Sequence, residues 1–303
     1  MAGLDEALVS ESRVAGLLSV INAYVELTKP KIMLFLLLTA YCAMVVAHKG
    51  LPGVAVTLSA LFGLALSTGG AAAFNMWYDR DIDAVMKRTE GRPIPAGKIP
   101  SANALWFSFI LFALSVVWFG LIVNWLAALL SAAGFVYYTL VYTVFLKRRT
   151  PQNIVIGGGA GAFPPLIGWA AVTGHVGLPA ILMFLIIFLW TPPHFWALAL
   201  FRHDDYKRAN IPMMPVVKGE GSTKRQMAVY TFLLSIVSLL LYWTGAVGVT
   251  YVWIAGILGL AFMVHSMFVL EEKLPNAKWA RKTFFFSLLY LGVLFLGMVT
   301  NVT

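Results

Sequence analysis

Long apolar stretches alternate with short polar segments along the whole chain. Each stretch has roughly 17–25 residues, the length that an α-helix needs to cross a bilayer. The pattern therefore predicts an all-α polytopic membrane protein with nine transmembrane helices, and we interpret 1–303 as a single transmembrane domain. The predicted spans are 31–48, 54–76, 102–122, 125–145, 152–172, 179–200, 226–245, 250–270 and 283–301.

The N-terminal segment differs from these spans. Residues 1–12 carry three acidic residues and no basic one, whereas a secretory signal peptide begins with positive charge, so we expect no cleavable signal. Apolar residues then recur at helical spacing over 13–28, a pattern typical of a helix lying on the membrane surface. We therefore interpret 1–30 as an interfacial segment.

Charge is distributed very unevenly between the two sides of the predicted bundle. If the loops alternate across the membrane, 21 of the 22 Lys and Arg residues and all 13 Asp and Glu residues fall on the side of the N-terminus, and only Lys49 lies opposite. The positive-inside rule then predicts a cytoplasmic N-terminus, an external C-terminus and, in a bacterium, insertion in the cytoplasmic (inner) membrane; in an organellar protein the basic side would face the mitochondrial matrix. The net charge of +9 is thus explained by topology, and we expect no nucleic-acid partner. The single cysteine excludes an internal disulfide.

The loop after the second predicted span contains a row of polar residues. Asn75, Asp79, Asp83 and Lys87 are each four residues apart, so on a helix they form one slowly drifting stripe, with Asp81 near the opposite side. An amide oxygen and two carboxylates suit Mg²⁺, which completes its shell with substrate phosphates. Basic residues that can meet phosphate follow: Lys87, Arg88, Arg92 and Lys98. The alternative is a helix cap followed by a solvated charge run.

A second loop of mixed charge follows the sixth predicted span. It contains Asp204 and Asp205 beside Lys207 and Arg208. Arg208 lies four residues after Asp204, so an ordinary ion pair on one helical face is the alternative to a functional role. Two such loops at corresponding positions suggest a duplicated four-helix unit.

Aromatic and small residues supply further candidates. Tyr138 and Tyr142 share a face of the fourth span, either as an interfacial aromatic belt or as π-faces that tolerate a cation. Gly157–Gly159 favour close helix approach, and a smooth wall for a flat ligand is the alternative. Pro192–Pro193 predict a kink in the sixth span with freed carbonyls, and His194 beside it is either a satisfied structural histidine or a ligand contact.

Two acidic clusters above a membrane cavity suit an anionic head group with an apolar tail. A prenyl diphosphate has this shape, and Mg²⁺ between the first cluster and the diphosphate would stabilise charge on the leaving group. The allylic cation left behind needs a water-poor, aromatic-lined pocket.

Several longer motifs carry a family resemblance. They are Leu27-Thr-Lys-Pro30, Asn75-Met-Trp-Tyr-Asp-Arg-Asp-Ile-Asp83, the segment 88–98, Lys147-Arg-Arg-Thr-Pro-Gln-Asn153, Thr191-Pro-Pro-His-Phe-Trp196 and Asp204-Asp-Tyr206. With them the chain resembles the UbiA-type intramembrane prenyltransferases, and within these the branch that farnesylates protohaem IX. The likeness runs from about residue 27 to the C-terminus.

The resemblance implies a nine-helix fold around a central cavity with a cytoplasmic-side active site. It implies farnesyl transfer from farnesyl diphosphate to a vinyl group of haem b, followed by water addition, giving haem O. Mg²⁺ would be the cofactor, haem b a substrate, and haem A synthase or terminal oxidase assembly proteins the implied protein partners.

The resemblance also assigns residues to roles. Asn75, Asp79 and Asp83 are implied as the metal ligands and, with Tyr142, Asp204 and Asp205, as the catalytic set. The implied diphosphate-binding residues are Lys87, Arg88, Arg92, Lys147, Arg148, Lys207 and Arg208, and the haem-binding candidates are His194 and His203.

One departure and two rivals accompany this interpretation. Many superfamily members have a second aspartate pair four residues apart, whereas Arg208 stands four residues after Asp204, so this residue is interpreted as a direct diphosphate contact. The nearest rival is a related prenyltransferase with a quinone-precursor or chlorin acceptor. A transporter would place charges at the membrane midplane, but these carboxylates cluster at one face.

Overall fold

The computed structural model describes residue 16, residues 18–273 and residues 276–303. Within those residues, nine helices are long and apolar enough to cross a membrane, which confirms the predicted count. The spans are Pro30–His48, Val54–Tyr78, Ser101–Val123, Trp125–Leu146, Asn153–Thr173, Leu178–Phe201, Gly219–Thr244, Val249–Glu271 and Lys278–Val299. Within the segment 13–28, where a helix is predicted, the structure has a helix at Leu18–Leu27, and its location at the membrane surface stays a prediction; residues 13–15 and 17 lie outside the described part.

We number the helices in chain order. They are α1 (Leu18–Leu27), α2 (Pro30–His48), α3 (Val54–Tyr78), α4 (Arg80–Val85), α5 (Ser101–Trp118), α6 (Trp125–Val136), α7 (Asn153–Gly157), α8 (Gly159–Thr173), α9 (Leu178–Phe201), α10 (His203–Arg208), α11 (Met214–Val217), α12 (Gly219–Leu240), α13 (Val249–Glu271) and α14 (Lys278–Val299). π-Helical turns extend α5 over Phe119–Val123 and α6 over Tyr137–Leu146, and a 3₁₀ turn extends α12 over Leu241–Thr244.

Most helices pack chiefly against neighbours from their own half of the chain, and α8 joins the halves by packing against α2 and α6. α3 lies against α5, α2 against α8, and α9 against both α12 and α14. Small residues allow these close approaches: a Cβ added at Gly168 would overlap the backbone of Ala40, and one at Gly70 would meet the carbonyl of Ser108. Large apolar side chains such as Leu121 and Trp253 face outward, as a lipid-facing surface requires.

α9 is continuous from Leu178 to Phe201 with Pro192 and Pro193 inside it, and the kink predicted at this pair stays a prediction. The predicted start of the seventh span is wrong. The seventh span begins at Gly219 rather than 226, so Lys224 is part of the helix. It is buried there because Glu220 and the carbonyl of Glu272 accept hydrogen bonds from its ammonium group.

Both long loops begin in the same way. The six-residue helix α4 follows α3 directly, and the six-residue helix α10 follows α9 directly. The two loops also meet, because Met86 from the first packs with Tyr206 from the second in one apolar cluster. The structure therefore brings the two charged loops to the same end of the bundle, as the alternation of spans predicts.

Candidate active site

The first acidic cluster lies where α3 gives way to α4. Asp79 stands at the break (φ −89°, ψ 7°), yet its N–H still donates to the carbonyl of Asn75. The carbonyl of Asp79 in turn accepts a hydrogen bond from the N–H of Asp83. The helical rise therefore continues across the break, and all three side chains are buried, with Asp79 at 0% exposure. The amide of Asn75 donates to Asp79 Oδ2 at 2.7 Å. The predicted stripe is thus observed for these three residues.

Its predicted fourth member is not part of it. Met86 adopts an extended conformation directly after α4, so Lys87 lies beyond the helix and is exposed to solvent. Asp81 points away from the stripe as predicted, with 62% of its side chain exposed. Regular helical spacing therefore predicted the positions inside the helix correctly and failed only where the helix ends.

Cations from other parts of the chain neutralise the buried carboxylates. Lys147, 68 residues from Asp79 and directly after the fourth span, forms an ion pair with Asp79 Oδ2. Arg92 donates through one nitrogen to both oxygens of Asp83, at 2.8 and 2.7 Å. Unpaired buried carboxylates would be very unfavourable, so these pairs are a condition for the cluster to exist at all.

Arg148 is held differently from Lys147. Its guanidinium donates to both oxygens of Asp81 at 2.8 and 2.7 Å, to the carbonyl of Tyr78 at 2.9 Å, and lies 4.8 Å from the centre of the Tyr78 ring. A longer contact of 3.4 Å reaches Asp79. The hydrogen bonds from Arg148 lower the pKa of Asp81 from its ordinary value. Asp81 therefore holds an arginine at the edge of the site instead of contributing to the stripe.

Lys29 is a site residue that the sequence analysis did not assign. It precedes α2, and its ammonium group donates to Asn75 Oδ1 at 2.7 Å. Burial, together with the nearby charges of Arg92 and Lys147, lowers the pKa of Lys29 to about 7. The available signal was its position in Leu27-Thr-Lys-Pro30, a basic residue directly before the first span.

Aromatic residues lie beside the cluster. The rings of Tyr138 and Tyr142 are 5.5 Å apart, so the predicted shared face is observed. Gly157 permits this arrangement, because a Cβ there would overlap the Tyr142 ring. Thr143, on the same π-helical segment, accepts a hydrogen bond from the amide of Asn75 at 3.2 Å. Gly157 therefore allows close packing and leaves the space that the Tyr142 ring occupies.

The second cluster is built from neighbours in sequence. Asp205 is buried and pairs with Arg208, with Arg202 at 3.8 Å. Asp204 is almost fully exposed (96% of its side chain), and His203 lies 3.4 Å from it. The alternative of an ion pair between Asp204 and Arg208 is not observed: Arg208 pairs instead with Asp205, three positions away, because α10 directs Asp205 inward.

The remaining basic candidates lie around the contact between the two loops. Arg88 donates to the hydroxyl of Tyr206 at 3.2 Å and lies over its ring at 5.4 Å. Lys207, like Lys87, is exposed at the surface. These residues lie outside the buried row of Asn75, Asp79 and Asp83.

His194 is buried in α9 between two aromatic rings. The ring of Trp190 lies 4.3 Å away and that of Phe284 4.6 Å away, both nearly parallel to the imidazole. Its Nδ1 lies 2.6 Å from the hydroxyl of Ser287. Phe195, the next residue, packs with Tyr142 and Tyr206 in the apolar cluster between the two loops.

The donor set of the first cluster fits Mg²⁺. Within the described residues no three His, Cys, Asp or Glu side chains converge, so a closed all-carboxylate site is not formed there. One amide oxygen and two carboxylates are instead what Mg²⁺ uses when substrate phosphates complete its shell. Asn75, Asp79 and Asp83 are therefore the residues that would hold the ion.

A sequence profile of the UbiA prenyltransferase family matches residues 36–289. The chain belongs to the UbiA prenyltransferase family. Among its curated relatives, the protoheme IX farnesyltransferase of Symbiobacterium thermophilum is 55% identical over 284 residues, covering 94% of this chain and 95% of the relative. The protein of the same name from Novosphingobium aromaticivorans is 50% identical over 281 residues, covering 92% of each. This family member is thus an integral membrane prenyltransferase.

Solved structures share its fold. A digeranylgeranylglyceryl phosphate synthase superposes with a TM-score of 0.78 at 21% identity, covering 93% of this chain and 98% of the other. A UbiA homologue from Archaeoglobus fulgidus bound to GPP and Mg²⁺ superposes with a TM-score of 0.63 at 16% identity, covering 91% and 99%. The nine-helix architecture is therefore that of the family.

Proposed function

We propose that this protein transfers the farnesyl group of farnesyl diphosphate to a vinyl group of haem b, with addition of water, to give haem O. Relatives that are 46–55% identical over most of the chain carry the name protoheme IX farnesyltransferase. The observation that carries the proposal is the buried row of Asn75, Asp79 and Asp83, which Lys29, Arg92 and Lys147 contact through hydrogen bonds and ion pairs. This arrangement suits a metal-bound diphosphate at the mouth of an apolar bundle.

The carboxylates have two successive roles in this proposal. Without diphosphate, Asp79 and Asp83 hold Lys147 and Arg92 by ion pairs. With substrate bound, Asn75, Asp79 and Asp83 would hold Mg²⁺, which would supply charge stabilisation for the leaving diphosphate. The released ammonium and guanidinium groups are then placed to donate to diphosphate oxygens. In both states each buried carboxylate would have a cation beside it, so neither would be left unpaired.

The other basic residues support the diphosphate from outside this row. Arg148 is positioned by Asp81 at the edge of the site, and Lys29 holds the amide oxygen of Asn75. We propose that Lys87, Arg88, Lys207 and Arg208, around the contact between the two loops, attract the anionic substrate by long-range charge. Because dissolved salt screens long-range attraction, we predict that their effect weakens as the salt concentration rises.

The chemical step breaks the bond between the farnesyl C1 and the diphosphate oxygen. The vinyl group of haem b attacks C1, a new carbon–carbon bond forms, and the positive charge moves to the other vinyl carbon. Water then adds there and loses a proton, leaving a hydroxyethylfarnesyl group. Tyr138 and Tyr142 line the cluster with π-faces that tolerate a cation, and buried apolar neighbours such as Met86 keep bulk water away until transfer has occurred.

The direct test is to incubate the purified protein with haem b, farnesyl diphosphate and Mg²⁺ and to identify the pigment by mass. We expect haem O, and we expect no product when EDTA removes the metal. Turnover of farnesyl diphosphate only with a quinone precursor or a chlorin would contradict the acceptor assignment. Absence of any prenyl transfer with all three acceptors would contradict the function itself.

We also propose that the site faces the cytoplasm from a bacterial inner membrane, with the N-terminus inside and the C-terminus outside. The support is the positive-inside distribution of Lys and Arg residues. A topology reporter fused after Thr303 is expected outside the cytoplasm, and one inserted at the exposed Gly91 inside. A cytoplasmic signal from the Thr303 fusion would contradict this orientation.

A further inference from the structure

The imidazole of His194 is fixed in a single plane. Trp190 and Phe284 stack on its two faces, at interplanar angles of 18° and 24°. The indole N–H of Trp190 donates to the carbonyl of Ser287 at 2.7 Å, which holds that stacking partner in turn. Stacked between two parallel rings, the imidazole keeps one rotational freedom, a 180° flip that exchanges its two edges.

Ser287 decides which edge faces α14 and which nitrogen carries the proton. Its hydroxyl donates to the carbonyl of Phe284 at 2.6 Å, and a carbonyl can only accept. Because a serine hydroxyl has one hydrogen, its 2.6 Å contact with His194 must be donated by Nδ1–H. The neutral ring with the proton on Nδ1 therefore leaves the lone pair on Nε2.

Nε2 is an unused acceptor in a buried ring. Only 6% of the surface of His194 is accessible, and Nε2 has no hydrogen-bond partner among the residues that the structure describes. Nε2 is not one of the fully enclosed side-chain atoms that lack a partner, so this nitrogen keeps some accessible surface through which a ligand can reach its lone pair. An imidazole that donates through one nitrogen to a fixed partner and presents the other unprotonated has the arrangement that metal-ligating histidines use.

We propose that His194 Nε2 is an axial ligand of the haem iron and that Ser287 is the positioning residue that sets its tautomer and orientation. This inference rests on the proposed function, since it concerns the haem b substrate. Coordination would anchor the porphyrin on α9 directly before Phe195, which packs against the same apolar cluster as Tyr142. A fixed iron holds the vinyl edge at a constant place relative to the farnesyl C1.

The test uses the full-length purified protein with haem b, without farnesyl diphosphate. Resonance Raman spectra of the ferrous complex report the iron–histidine stretching band, which depends on the hydrogen bond at the other ring nitrogen. We expect the band in the wild type, its loss in His194→Ala, and its shift in Ser287→Ala with about tenfold weaker haem binding, as for other partners of metal ligands. Ser287→Thr keeps a hydroxyl and should restore the band position.

Ser238→Ala is the matched control. Ser238 is also fully buried and its hydroxyl joins two helices through Tyr290 at 2.9 Å, but it does not contact His194. This variant should lose packing and stability to a similar extent while leaving the band unshifted. An equal shift in Ser238→Ala would overturn the positioning role, because it would report general loosening.

The outcomes separate this inference from the proposed function. If the wild type makes farnesylated haem but shows no iron–histidine band that His194→Ala removes, the ligand assignment is overturned and the function stands. If Ser287→Ala leaves both the band and haem affinity unchanged, the role of Ser287 is overturned. If the protein neither binds haem b nor prenylates it, both proposals fail together.

Discussion

The two acidic clusters are built in different ways, although each follows a span through a six-residue helix. In the first, both Asp79 and Asp83 are buried, and the lysine that pairs with Asp79 comes from 68 residues away. In the second, only Asp205 is buried, and Arg208, its closest partner, is three residues away on the same helix. One cluster is assembled by tertiary structure, and the other is complete within α10.

Because of this difference, we interpret the first cluster as a functional site and the second as a local ion pair. An ion pair between a buried carboxylate and a cation from a distant part of the chain forms only in the folded bundle. Removal of either partner leaves the other as an unpaired buried charge. A pair three residues apart on one helix forms wherever that helix forms, and with half of Arg208 exposed it is screened by solvent. We therefore expect substitutions in the first cluster to affect catalysis far more than those in the second.

The largest effect is expected for Asp79→Asn. It removes a charged Mg²⁺ ligand and the partner of Lys147, so kcat/KM for farnesyl diphosphate should fall by ~100-fold or more, beyond the loss typical of residues that only support a ligand. Asp204→Asn, at an exposed carboxylate, is the control and should change little. Equal losses in the two variants, with both proteins eluting as intact in gel filtration, would remove the distinction between the clusters.

Lys29→Met should have the next largest effect. Its charge-assisted hydrogen bond to Asn75 Oδ1 is of the kind worth roughly 1.5–3 kcal/mol, so we expect kcat/KM to fall about ten- to a hundredfold. Lys31→Met removes an exposed lysine two residues on and serves as the control. Wild-type kinetics in Lys29→Met would show that Asn75 is held in place without this contact.

Gly157→Ala tests the role of the Tyr142 ring, which lies beside the first acidic cluster. The added methyl group would overlap the ring of Tyr142, which must then move, and overpacking of this kind costs roughly 1–3 kcal/mol. We expect a several-fold fall in kcat and more hydrolysis of farnesyl diphosphate relative to transfer, as water enters. Gly161→Ala, where an added Cβ has nothing within 4 Å, is the matched control. A ratio of hydrolysis to transfer equal in both variants would argue against a shielding role for Tyr142.

The smallest effect is expected for Arg208→Ala. Because Arg208 pairs within its own helix and is half exposed, its loss should change kcat/KM by no more than ~5-fold, the range of exposed ion pairs. Arg208→Lys should then behave like the wild type. A tenfold or larger loss that lysine does not repair would instead support a bidentate contact with diphosphate.

Much of the fold was predictable because the bilayer restricts the choices. Each span must be long and apolar, so hydropathy alone locates it to within a few residues. The seventh span starts earlier than predicted for a physical reason: Lys224 is charged, but Glu220 and the carbonyl of Glu272 accept hydrogen bonds from it inside the helix. The carbonyl of Glu272 lies 48 residues away in the sequence, so the pattern of residues around Lys224 does not indicate this partner.

The chain by itself determined the span count, the shared end of the two charged loops and the row of Asn75, Asp79 and Asp83, because these depend on helix length and on spacing along one helix. Tertiary structure alone decided which cations complete that row. Lys147 and Lys29 reach it from distant helices, and Asp81 is diverted to Arg148. The reason is that local spacing specifies direction within one element, whereas burial and charge pairing depend on how elements pack.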